Sequence, residues 1–144
     1  MRIDNSSIYA LDSDNNKISA QKNALLIMEN SSAVHEIQTH NGSVGEFQHS
    51  TTSKNLFADY GSTLTTDNMS MLKLYIGNNS TAKINNSTID CSANDVTCVN
   101  VERMSSIFFS SSTITGGANY DAIKIGPTSQ VNLYQSTVNS TKSS

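Results

Sequence analysis

The chain has 144 residues and a mass of 15.5 kDa, with nine Lys+Arg against twelve Asp+Glu and a formal net charge of -3. That length suits one domain and excludes a large multidomain enzyme. With only two arginines, Arg2 and Arg103, and no basic run, no nucleic-acid partner is expected. Ser, Thr and Asn fill 55 of 144 positions while Leu, Ile, Val and Phe fill 31, a composition near the border of disorder. The placement of the apolar residues decides for a fold. The longest apolar run, 24–28, falls far short of the roughly 20 residues of a membrane helix. The first residues lack the apolar core of a secretory signal, so the chain as written is expected neither to export nor to anchor itself.

Taken in chain order, Ser6-Ser7-Ile8 looks like a degenerate first strand quartet. Asp12-Ser13-Asp14-Asn15-Asn16 opens with the alternating oxygens of a calcium loop, but Lys17 stands where the glycine is required and Asn23 where the bidentate glutamate is. A turn is the better reading. Asn23-Ala24-Leu25-Leu26-Ile27 resembles Asp121-Ala122-Ile123-Lys124-Ile125, and Leu25 stands 49 residues before Leu74, two periods of the repeat described next. The stretch from His35 to Leu56 does not align and is expected to carry a longer turn or insertion near Asn41-Gly42-Ser43 or His49–Ser53, where a solenoid often places a binding surface.

From residue 62 the repeat is plain. Ser62-Thr63-Leu64-Thr65, Ser87-Thr88-Ile89-Asp90, Ser112-Thr113-Ile114-Thr115 and Ser136-Thr137-Val138-Asn139 follow one another at steps of 25, 25 and 24. Within the period Leu74 aligns with Val99 and Ile123, Ile76 with Val101 and Ile125, Ala82 with Ile107 and Val131, and Ile84 with Phe109 and Leu133. Each pair is two apart, the strand period, and the joints are Asn-, Gly- and Ser-rich. Three inward-facing strands per period predict an all-β fold, a right-handed single-stranded parallel β-helix of about six coils of 24–25 residues. Residues 1–144 are expected to form one segment, with irregular coils over 1–60 and regular coils over 61–144. An antiparallel sandwich gives no reason for a register repeated at 25 residues.

The segments 112–125 and 129–138 resemble coils of the pertactin-like passenger domains of bacterial autotransporters. The resemblance covers about 62–139 well and the remainder loosely. It implies a non-enzymatic stalk, adhesin or virulence factor displayed at the bacterial surface or secreted, with a host-cell protein or glycan, or a second copy, as partner. Signal sequence, capping segments and C-terminal barrel are not seen, so the chain is expected to be a fragment whose membrane contact would run only through that barrel. In such an exported protein Cys91 and Cys98, the only two cysteines, are expected to close a small disulfide loop; two reduced residues are the alternative.

No catalytic, metal or cofactor site is expected. Two thiolates without nearby His or Cys make half a zinc shell. His35, His40 and His49, with Glu36 and Glu46, have spacings that match no ligand set and read as polar loop residues. With Asn41, the three histidines are the expected contact loop. A pectate-lyase-like reading would need Arg103 or Lys124 beside Asp90, Asp95 or Asp121, and a tailspike hydrolase would need two carboxylates at about 5–9 Å; no carboxylate is expected to recur in one column across adjacent coils. The discriminating feature of such a carbohydrate-active β-helix, the alternative reading, is a cluster of carboxylates and aromatics along one face. The Thr-x-Thr arrays at Thr63 and Thr113 are interrupted at Asp90 and Asn139, which favours stacking hydroxyl ladders over an ice-binding array. Nine Asn-x-Ser/Thr sequons mostly reflect Asn-Ser-rich turns.

Overall fold

Alternation of apolar and polar residues over runs of three to five, broken by Asn, Ser and Gly, leaves the chain no helical face and many strand faces. In the computed structural model, which describes residues 1–4, 7–8, 17–33, 36–52, 54–94 and 96–140, the described residues hold strands and turns and no helix. The first coil is β1 (Arg2–Asp4), β2 (Ser7–Ile8) and β3 (Lys17–Ala20); the second is β4 (Leu25–Glu29), β5 (Ser32–Ala33) and β6 (Glu36–His40). The third is β7 (Val44–Gln48), β8 (Thr51–Thr52) and β9 (Asn55–Asp59), and the fourth β10 (Thr63–Asp67), β11 (Ser70–Met71) and β12 (Lys73–Ile76). The fifth is β13 (Thr81–Asn85), β14 (Thr88–Asp90) and β15 (Val99–Val101), and the sixth β16 (Ser106–Ser110), β17 (Thr113–Gly116) and β18 (Ile123–Ile125). β19 (Gln130–Tyr134) and β20 (Thr137–Ser140) begin a seventh.

Strands of like position stack in parallel into three sheets. Sheet A runs β1-β4-β7-β10-β13-β16-β19, sheet B β2-β5-β8-β11-β14-β17-β20, and sheet C β3-β6-β9-β12-β15-β18. This is a parallel β-helix of about six coils. Six steps of about 4.8 Å make sheet A about 29 Å across its strands.

The core is a set of columns, each drawing one residue per coil. In sheet A, Leu26, Gly45, Leu64, Ala82 and Ile107 form one inward column and Met28, Phe47, Thr66, Ile84 and Phe109 the next, all of them buried. Sheet B contributes Met71, Ile89 and Ile114, and sheet C Ile37, Leu56, Leu74 and Val99, with exposures between 0% and 4%. In the first sheet A column small residues alternate with large ones, Gly45 and Ala82 lying between Leu26, Leu64 and Ile107. Gly45 sits beside the Phe47 ring, and a Cβ there would lie 2.9 Å from Phe47 Cε2 and 2.8 Å from Thr39 Cγ2.

The corners explain the composition. Every described A-to-B corner, from β4 on, has two residues. The first has positive φ, as at Asn30 (48°), His49 (48°), Asn68 (51°), Asn86 (47°), Ser111 (49°) and Gln135 (48°); asparagine tolerates this conformation best among residues with a side chain. The second is usually a buried serine whose hydroxyl accepts from the backbone of the coil before it. The N–H of Ser31 donates to Ser50 Oγ (3.3 Å), that of Met69 to Ser87 Oγ (3.1 Å), that of Ser87 to Ser112 Oγ (3.1 Å) and that of Ser112 to Ser136 Oγ (3.1 Å). A second ladder lines the C-to-A corner, where Ala24 N–H donates to Ser43 Oγ (3.2 Å), Ser62 N–H to Ser80 Oγ (3.1 Å) and Ser80 N–H to Ser105 Oγ (3.3 Å). The Asn-Ser richness is therefore backbone-satisfying corner chemistry, which lets a tightly turning chain bury its amides.

Coil length departs from the expected 24–25 residues. Paired residues Leu25, Val44, Thr63 and Thr81 stand 19, 19 and 18 apart, whereas Thr81 to Ser106 is 25 and Ser106 to Gln130 is 24. Almost all of the difference lies at the B-to-C corner: Leu72 alone links β11 to β12, while residues 91–98 link β14 to β15 and residues 117–122 link β17 to β18. Three expectations fall with this. Thr63 pairs with Thr81 and Val44 in sheet A, so the quartet at 62 does not share a column with Thr88, Thr113 and Thr137 of sheet B. Leu25 is a sheet A residue, 46% exposed, and is not the counterpart of the buried Leu74 in sheet C. The stretch expected to hold an insertion has short coils instead, with three residues between β6 and β7 and two between β7 and β8.

Candidate functional site

The residues expected to form one contact loop are distributed over different corners. His40 ends β6 and Asn41, at φ 55°, starts the C-to-A corner, whereas His49 occupies the A-to-B corner beyond β7. Five residues of strand, about 16 Å, separate the two corners. His35 and the calcium-like segment 12–16 lie outside the described residues, as does Asp95. Among the described residues no group of three or more His, Cys, Asp or Glu is placed to hold a metal ion.

Cys91 and Cys98 are disulfide-bonded with Cα atoms 5.6 Å apart, at the two ends of the link between β14 and β15. Both are fully buried. The bond ties the base of the link while Ser92, Ala93 and Asn94 remain exposed. Just before it, Asp90 is held below the usual carboxylate range by hydrogen bonds from Ser92, of which the backbone N–H at 3.0 Å is one. Closing so short a loop contributes about 2 kcal/mol. Reduction, or the Cys91→Ala/Cys98→Ala pair, is expected to lower stability by that amount, and denaturant midpoints with and without reductant check it; a midpoint insensitive to reductant in the unaltered chain would count against the bond.

The chemically richest surface is the outer face of sheet C. Leu56 and Ala58, like Leu74 and Ile76, point inward, so Phe57 and Tyr75 between them point outward and pair across adjacent strands. Their ring centroids are 5.5 Å apart at 39°. Gln38 precedes them in the same column and Asn100 and Lys124 follow. The next column holds His40, Asp59, Gly77 and Glu102, since His40 pairs with Asp59, Gly77 N–H donates to the Ala58 carbonyl (2.9 Å) and Glu102 N–H to that of Ile76 (2.9 Å). A Cβ on Gly77 would lie 2.5 Å from the Tyr75 hydroxyl, so the phenol lies over the glycine between the Asp59 and Glu102 levels.

Hydrogen bonds hold the acceptors of this face in place. Asn78 Nδ2 donates to Asp59 Oδ1 (2.6 Å), Arg103 donates to Asn78 Oδ1 (3.0 Å), and Asn100 Nδ2 donates to Glu102 Oε1 (2.7 Å). Across the face, Gln38 donates to Glu36, Asn55 Nδ2 donates to Glu36 Oε2 (3.3 Å), and His40 Nε2 pairs with Gln38 Oε1 (3.0 Å). Tyr60, 59% exposed, stands beside His40 with ring centroids 6.4 Å apart. Asn100 Oδ1 is buried without a hydrogen-bond partner, a bare acceptor within the strip.

Burial, then the charges of Asp59 and Glu102, raise the Tyr75 hydroxyl above 10.0, with Arg103 opposing. A group whose folded pKa is raised contributes stability that is complete below the unfolded value, about 10, and is lost as pH rises through the folded value. Ultraviolet titration of tyrosinate is expected to show one late-ionising tyrosine that disappears in Tyr75→Phe and moves down in Asp59→Asn. Coincident titration of all five tyrosines would remove Tyr75 from this environment.

Sequence reasoning missed this strip. The available signal is the 18-residue echo of Leu56-Phe57-Ala58-Asp59 in Leu74-Tyr75-Ile76-Gly77, masked by the 25-residue period of the longer coils. A recess lies on the outer face of sheet B, a groove of about 380 Å³ whose lining includes Thr51, Ser70, Leu72 and Asp90. No family model, no curated protein and no solved structure matches the chain.

Proposed function

We propose that the chain is a non-enzymatic β-helical segment displayed at a bacterial surface, a stalk or adhesin of the autotransporter-passenger kind, presenting its faces and corners to a host-cell protein or glycan or to a second copy. The observation that carries the reading is the stack itself: columns of buried residues and two serine ladders continue from coil to coil, which yields a stiff rod with its variable parts outside. The disulfide at the B-to-C corner suits an oxidising compartment outside the cytoplasm.

The test is to place the chain between an export signal and an outer-membrane barrel, then measure protease accessibility on intact cells and adhesion to host-cell surfaces. Surface exposure with barrel-dependent adhesion is the expected result; an exposed chain that changes no adhesion or aggregation would sink the reading.

A second reading, a carbohydrate-active β-helix such as a polysaccharide lyase or phage tailspike depolymerase, is favoured by one observation. Asp59 and Glu102 lie in one column on either side of Gly77, two coil steps or about 10 Å apart along the stack, with the Tyr75 hydroxyl between their levels. Paired carboxylates at about 6.5–9.5 Å suit general acid and base work on a glycosidic bond. Release of reducing or unsaturated sugar ends from a polysaccharide panel, lost in Glu102→Gln, would replace the first reading with this one.

A further inference from the structure

From the outer face of sheet C we infer a binding strip for an uncharged, hydroxyl-rich polysaccharide, seated on Phe57 and Tyr75. The inference rests on the reading of the chain as a binding rod and names the class of partner its face would take.

A sugar ring presents apolar C–H faces and a rim of hydroxyls that both donate and accept. Phe57 and Tyr75 supply a continuous apolar patch two coils long, on strands whose backbones the stack holds fixed. The groups beside it are largely acceptors already oriented by their neighbours, with Asp59 and Glu102 along one side and Glu36 on the other. Orienting these groups before binding removes part of the ordering cost that a flexible surface would bear.

Charge selects among glycans. The carboxylates of the face, Glu36, Asp59 and Glu102, are met on the same sheet by Lys17, Lys73 and Lys124, so the strip is near neutrality rather than basic. A polyanionic glycan would meet Asp59 and Glu102 directly beside the rings, and a nucleic acid would meet them for the same reason. An uncharged chain meets no such opposition. Among the described residues the outer face of sheet A has no such ring pair: Phe108 in the sixth coil is flanked by Lys83 and Asn132, and Tyr134 follows on the next strand paired with Ser110.

The test uses the full chain in affinity electrophoresis through gels cast with neutral polysaccharides (β-glucan, mannan, galactan) and with one anionic polysaccharide. At least one neutral polysaccharide is expected to retard the chain. Phe57→Ala and Tyr75→Ala should weaken that retardation at least tenfold, Tyr75→Phe should restore it, and Phe108→Ala should leave it unchanged. Circular dichroism melts of each variant separate loss of the strip from loss of the fold. Retardation by no neutral polysaccharide, retardation by the anionic one alone, or equal loss in Phe108→Ala overturns the inference. Analysis of the same gels for new sugar ends keeps the two readings apart: ring-dependent retention with cleavage upholds the strip and overturns the non-enzymatic function.

Discussion

Ile114→Asp is expected to remove cooperative unfolding from the fifth and sixth coils, at a cost of about 3–5 kcal/mol. Ile114 is 0% exposed and pairs with Ile89 on one side and Val138 on the other in the inward column of sheet B. A carboxylate there has no cation to meet, so it must either lose hydration unpaired or be neutralised by a strongly raised pKa. Against a typical total of 5–15 kcal/mol, that loss is a large share. Because each coil contacts chiefly its neighbours, the damage should be graded along the rod. Amide hydrogen exchange is expected to lose protection in β14, β17 and β20 while β6 and β9 keep most of theirs. Thr113→Asp, one residue away and outward-facing, should change stability by no more than about 0.5 kcal/mol. An unchanged melting temperature for Ile114→Asp would mean that this column does not face the interior.

The C-terminal half was legible because the long coils there differ by one residue, 25 against 24. Val99 with Ile123, Ile107 with Val131 and Ile114 with Val138 are paired in the structure as their 24-residue spacing predicts. The half before it was not legible, for a physical reason. A parallel β-helix demands fixed strand lengths on its faces but tolerates any link at a corner that faces solvent, and here the B-to-C corner varies from one residue to eight. The coincidence at Ser62 shows the trap: an 18-residue coil followed by the seven residues from sheet A to sheet B imitates one 25-residue period. Asparagine signals turns in general, whereas its recurrence at Asn30, Asn68 and Asn86 marks one geometric position, the first corner residue with positive φ. The serine that follows Asn30 and Asn86 fills the ladder, so sequons at those places are a by-product of corner geometry. The aromatic strip escaped notice because outward residues are not constrained by the core, and only the register of the short coils brings Phe57 beside Tyr75.

Phe47→Ala and Gly45→Ala together should show the core as a matter of complementary volumes rather than of single residues. Phe47 is 0% exposed and lies between Met28 and Thr66 in its column, so truncation removes the largest ring from the middle of the rod. The sheets on either side are fixed by hydrogen bonds and cannot close the gap, which places the expected loss at about 3–5 kcal/mol. Gly45→Ala alone drives a methyl to 2.9 Å from the Phe47 ring and 2.8 Å from Thr39, and is expected to cost about 1–3 kcal/mol. In the Phe47→Ala background that ring contact no longer exists and the methyl enters vacated space. There only the Thr39 contact at 2.8 Å remains, so Gly45→Ala should cost clearly less than in the unaltered chain, leaving a coupling of about 1 kcal/mol in the double-mutant cycle. Denaturant unfolding of the four chains measures it. Additive losses would mean that Gly45 is retained for its backbone or for Thr39 alone, and that the ring and the glycine were not fitted to each other.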